Sequence, residues 1–201
     1  FQCDDGSGGT ETYFYLDGSI SSGNPFTVFP DNSILQFGTD TDLYLYSDGG
    51  SNSYIKNSNG HLQLIQYAND KDIIFKCDDG SGGEETYFFL DGSYGSGTYN
   101  WTCFPDNSIA AFGDGKDLRL YHNGTDSFIN NNTGDLNIVN LAADKDILFK
   151  ADDGSGGTET YFFLDGSKST GNPYTIFPNS SFLGFGNDGN LLINHGGSGG
   201  S

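Results

Sequence analysis

Methionine is absent from these 201 residues, and basic side chains nearly so: eight Lys and Arg stand against 27 Asp and Glu, a net charge of −19. Such an excess of one sign excludes a nucleic-acid binder, because phosphate contacts need Lys and Arg. It equally excludes docking on an anionic membrane surface, and it fits a solvated acidic exterior that resists aggregation. Alanine occurs only six times, and no stretch carries a sustained apolar face at helical spacing. No apolar run approaches the roughly 18 residues of a membrane span, so no membrane insertion is expected. Three cysteines are too few for a disulfide framework, and no Cys/His cluster suggests zinc. Cys3, Cys77 and Cys103 read as buried free thiols.

What the chain does hold is glycine (31) and Phe plus Tyr (29), with β-branched residues divided by Gly, Asn, Asp and Ser. That mixture favours strands and turns, so the fold class is all-β. One block is also written three times. Cys3-Asp4-Asp5-Gly6-Ser7-Gly8-Gly9 returns as Cys77–Gly83 and as Ala151–Gly157, each step being 74 residues. Self-similarity at a fixed period signals stacked units. Residues 1–60 form a partial first repeat, 61–134 a full second, 135–195 a partial third, about 2.7 copies in all, and 196–201 a Gly/Ser tail or linker. The chain therefore reads as a piece of a longer array. An enzyme needs its catalytic set once, whereas a shaft needs its unit many times.

Within the full copy, His61-Leu62-Gln63-Leu64-Ile65 alternates like a strand, and Ile73–Lys76 follows Asp70-Lys71-Asp72. A Gly-rich loop leads to Thr86–Leu90, which ends at Asp91-Gly92, a hairpin-type signal. Trp101–Phe104, Ser108–Phe112, Leu118–Tyr121, Ser127–Ile129 and Leu136–Val139 complete roughly eight short strands per unit. Tyr13–Leu16, Tyr87–Leu90 and Tyr161–Leu164 are apolar on both faces, and such a strand belongs between two layers. With so few aliphatic residues, the second layer is expected from neighbouring chains. The architecture expected is an elongated fibrous repeat array, an intertwined homotrimeric β-fibre, with a single-chain β-solenoid as the alternative.

The acidic loops Asp4-Asp5, Asp78-Asp79 and Asp152-Asp153, with Glu11, Glu85 and Glu159 nearby, read as solvated turns. Ca²⁺ is the one cofactor such oxygen-rich loops would take, but no EF-hand spacing is present. Grouped around an assembly axis, these loops would gain stability from divalent cations or mild acid. A glycosidase needs a carboxylate pair at set separation, and here turn geometry accounts for each pair in every copy. His61, His122 and His195 are too sparse for a triad or an intrachain metal site and read as surface imidazoles. Trp101, matched by Phe26 and Tyr174, reads as a core aromatic; exposed, it would make a sugar platform. No catalytic residue, metal ligand or binding residue is assigned.

The strings Asp117–Gly124, Asn132–Leu136 and Asp152–Gly157, the last followed by Tyr161–Ser167, resemble repeats in tail-fibre and other virion fibre proteins of tailed bacteriophages, especially marine ones. The resemblance covers nearly the whole chain in all three copies. It implies an elongated homotrimeric shaft on a virion, not an enzyme, that supports host attachment while a tip elsewhere grips the receptor. The alternative is an extracellular filament or adhesin, bacterial or secreted, whose repeats make weak contacts with host-surface glycans.

Overall fold

A computed structural model describes residues 1–19, 23–94, 97–168 and 171–195. The 196–201 tail therefore lies outside the described residues. Those described form eighteen short strands and no helix, paired antiparallel in seven sheets of two or three strands, with no closed barrel. The chain divides into two units, Phe1–Ile109 with Tyr121–Thr125, and Ala110–Leu120 with Asp126–Ser201.

In the first unit β1 (Gln2–Asp4) pairs with β2 (Thr10–Thr12), and β3 (Tyr15–Asp17) with β4 (Phe26–Val28). β5 (Leu35–Phe37), β6 (Leu43–Ser47) and β7 (Ser53–Asn57) form a meander. β8 (Ile73–Asp78), β9 (Glu84–Asp91) and β10 (Trp101–Cys103) form the next sheet, with β9 central. Then come β11 (Ala110–Phe112), β12 (Leu118–His122) and β13 (Ser127–Asn131), a sheet that falls mostly in the second unit. That unit continues with β14 (Ile147–Asp152), β15 (Thr158–Asp165) and β16 (Tyr174–Ile176), and ends in the hairpin of β17 (Phe182–Phe185) and β18 (Leu191–Asn194).

β8 and β9 form where β-branched and aromatic residues cluster, Ile73-Ile74-Phe75 against Thr86–Leu90. Register puts Ile74, Phe89 and Cys103 on one face of the sheet, and Ile73, Leu90 and Thr102 on the other. A bulge between Phe75 and Lys76 recurs between Phe149 and Lys150, 74 residues on. Left-handed backbone recurs as well: Asn32, Asn107 and Ser180 take φ of 64°, 65° and 67°, and Asp70 and Asp144 take 58° and 56°. In the first copy the long central strand is split into β2 and β3 at Tyr13-Phe14.

Three sequence expectations need correction. The full copy holds six strands rather than eight, since His61–Ile65 and Leu136–Val139 pair with no strand among the described residues. Alternation marks a strand's faces but cannot supply its neighbour. The Asp91-Gly92 signal is not a two-residue hairpin but an Asx turn opening a longer connection to β10: Asp91 Oδ1 accepts from Ser93 N–H at 2.8 Å and Tyr94 N–H at 3.0 Å. Lastly, no described residue is buried: even Phe88 and Phe89 of β9 are only half-buried, so cover for the two-sided aromatic strands is incomplete among the described residues.

Candidate functional site

Each acidic loop is a closed hairpin turn. In the loop joining β8 to β9, Asp78 Oδ1 accepts from Gly80 N–H at 2.7 Å, while Asp79 Oδ1 accepts from Ser81 N–H at 2.7 Å and Gly83 N–H at 3.1 Å. Asp79 N–H donates in turn to the Gly83 carbonyl at 3.0 Å. The Asp5 and Asp153 loops repeat this pattern, with Gly6, Gly80 and Gly154 at φ near 80° where only glycine is unstrained. The tyrosine following each loop ties it down: the Tyr13, Tyr87 and Tyr161 hydroxyls donate to the carbonyls of Asp4, Asp78 and Asp152 at 3.0, 3.1 and 3.2 Å.

These donors fix the electrostatics. The Ser81 hydroxyl, then the Ser81 and Gly83 N–H groups, hold the Asp79 carboxyl below the usual carboxylate range. The Ser7 hydroxyl leads for Asp5 and the Ser155 N–H for Asp153, with the same direction. Protonation at these three carboxylates works against the turn, opposite in sign to the stabilisation expected from charge relief. Among the described residues, no three His, Cys, Asp or Glu converge as a metal site.

The remaining sequence candidates scatter. His122 and His195 occupy equivalent places, where their backbone carbonyls accept from Asn107 and Ser180 N–H at 2.8 and 3.2 Å; His61 is exposed after a turn. Trp101, Phe26 and Tyr174 are 45%, 44% and 48% exposed, so this position is not core within the chain; Tyr94 meets the Trp101 ring edge-on at 5.4 Å. All three cysteines are free as expected, but Cys3 and Cys77 are exposed rather than buried. Cys103 is half-buried, and burial, followed by the nearby Asp91 charge, raises its thiol.

Sequence reasoning missed two recurring features. The first is a ladder of stacked rings: Phe1–Phe14–Phe29, Phe75–Phe88–Phe104 and Phe149–Phe162–Phe177, with centroids 4.4–4.5 Å and then 5.7–5.8 Å apart. The phenylalanines are plain in the sequence, but ring stacking requires the strand register. The second is a shallow cleft lined by Gln66, Lys71, Asp91 and Trp101, repeated with Asn140, Lys145, Asp165 and Tyr174. Neither arrangement brings an acid, base or nucleophile together as a catalytic set.

The largest feature is accessible surface, to which many large apolar side chains contribute. The accessible area is 16174 Å², whereas a folded monomer of 21.6 kDa should expose about 9,200 Å². The excess of about 7,000 Å² is several times the ~800 Å² that each partner contributes to a standard interface. No protein family, no curated protein and no solved structure matches the chain.

Proposed function

We propose that the chain is a structural fibre protein, a repeat-built shaft that associates with copies of itself as an intertwined homotrimer. On this reading it is not an enzyme. It belongs to a virion fibre of the tailed-phage type, where it holds a host-binding tip at a distance from the particle. The single observation that carries the reading is the absence of any buried described residue in a chain so rich in Phe and Tyr. Apolar surface is removed from water at about 25 cal/mol per Å², so the exposed Phe, Tyr, Leu and Ile side chains favour association. Local antiparallel pairing within each copy supports an assembly of chains over the single-chain solenoid, whose stacked rungs would pair across copies. The resemblance of Asp117–Gly124 and Asp152–Gly157 to virion fibre repeats supports the location.

Light scattering on the purified chain tests this reading. A mass near three chains, with rods by electron microscopy, is expected. A monomer that stays folded at all concentrations would overturn it.

A second reading rests on the repeated cleft beside Trp101 and Tyr174, where an aromatic ring, a side-chain amide and a lysine stand together. That chemistry suits a sugar ring. It would make the array an extracellular adhesin with many weak glycan contacts. Binding on a glycan array that disappears in Trp101→Ala with Tyr174→Ala would favour this reading over the shaft.

A further inference from the structure

We propose that residues 62–67 and 136–141 are strands completed by a second copy of this chain, which pairs with their main-chain groups and covers their apolar side chains. This rests on the self-association proposed above and names the segments that carry it.

Both segments are written as strands. Leu62-x-Leu64-Ile65-x-Tyr67 returns after 74 residues as Leu136-x-Ile138-Val139-x-Leu141. Alternation and β-branched content match a pleated surface. Among the described residues, no main-chain N–H or C=O of either segment makes a hydrogen bond. Each segment ends where a side chain turns the backbone: Gln66 Oε1 accepts from Ala68 N–H at 2.9 Å, and Asn140 Oδ1 from Ala142 N–H at 3.0 Å. Their side chains are among the most open in the molecule, with Tyr67 87% and Leu141 92% exposed. Water satisfies the bare amides here, so apolar area drives pairing and the hydrogen bonds set its direction and register.

The occupant follows from the area and from the repetition. The excess surface far exceeds what one stable interface requires. The segments themselves carry no Asp, Glu, Lys or Arg, so a chain with net charge −19 can approach there without placing like charges face to face. The element also occurs in both the second and third copies. Another copy of this chain meets it at the same interval, so each contact reinforces the next.

Hydrogen exchange by mass spectrometry on the full 201-residue chain reads the pairing directly, alongside mass by light scattering. In the associated protein the amides of 62–65 and 136–139 should exchange at least 100-fold more slowly than unprotected amides. Gln63→Pro with Asn137→Pro removes two N–H donors that have no partner among the described residues, and should lower the associated mass. If the double variant does not fold, exchange on the unsubstituted chain decides alone. An oligomer whose 62–65 and 136–139 amides exchange freely would overturn this assignment and leave self-association standing. A monomeric mass at every concentration would overturn both.

Discussion

Gly92 offers the sharpest test of the repeat's internal construction. A Cβ built there would stand 2.3 Å from the Lys71 carbonyl oxygen and 3.1 Å from its carbon. The obstacle is backbone, which cannot rotate aside. Gly92 N–H also donates to Asp72 Oδ1 at 2.9 Å, so the Asp70–Asp72 segment is docked against this turn by a contact and a hydrogen bond together. Gly92→Ala must push the segment away. Overpacking of this kind costs about 1–3 kcal/mol and a lost hydrogen bond about 1 kcal/mol, for a total of about 2–4 kcal/mol. In a chain of this length that lowers the melting midpoint by about 5–15 °C. Gly166→Ala should behave alike, since its Cβ would meet the Lys145 oxygen at 2.3 Å and its N–H donates to Asp146 Oδ1 at 3.0 Å. Gly18 stands in the same Asp-Gly-Ser string, yet nothing lies within 4 Å of its Cβ. Gly18→Ala should therefore stay within about 0.5 kcal/mol of the parent. The assay is thermal unfolding by circular dichroism at one fixed chain concentration, because association shifts the midpoint by mass action. Equal losses at Gly18 and Gly92 would refute the docking argument.

Two further outcomes follow from the loops and thiols. The carboxyls of Asp5, Asp79 and Asp153 are lowered in the folded chain, so their stabilisation is complete above the ordinary value of 3.8 and disappears as pH falls through the lowered one. Melting midpoints should hold from pH 7 to about 4 and then fall, and Asp79→Asn should flatten part of that fall; a midpoint that rises into acid would show charge relief to dominate instead. A disulfide reagent should modify Cys3 and Cys77 quickly and Cys103 slowly, since Cys103 is half-buried with its thiol raised by burial and by Asp91; single Cys→Ser variants assign the phases, and a fast Cys103 would contradict this placement.

How much was legible depended on whether a feature is closed within a few residues. The Asp78–Gly83 loop could be read directly, because its donors and acceptors lie within four residues and its glycines mark the left-handed positions. β9 and β15 could be read because an aromatic run between turn residues has few other outcomes. Trp101 was misjudged as core because recurrence of an aromatic shows that a position is constrained, not that this chain supplies the covering atoms. The Cys3 and Cys77 thiols were misjudged for the same reason: burial is a property of the surroundings, and here the chain provides few. The contact between Gly92 and Lys71 joins residues 21 apart and has no local signature except the glycine itself.

The two recurring apolar features differ in what they leave unexplained. Every position of the phenylalanine ladder is Phe in all three copies, while neighbours vary: Trp101 against Phe26 and Tyr174, Cys103 against Val28 and Ile176. Stacking across the strands of each copy accounts for that constancy, since the rings meet at 4.4–5.8 Å and a smaller side chain would break the stack. No second chain is needed to explain the ladder, even though part of each ring stays open. Residues 62–67 and 136–141 are the opposite case. Their apolar pattern returns position by position, yet among the described residues Tyr67 makes no ring contact and no main-chain group of either segment makes a hydrogen bond. Leu62 and Leu136 are about half covered within the chain, whereas Tyr67 and Leu141 stand 87% and 92% open, so the cover found internally accounts for only part of the pattern. That is why the proposed association runs through these quiet segments rather than through the more conspicuous aromatic stack.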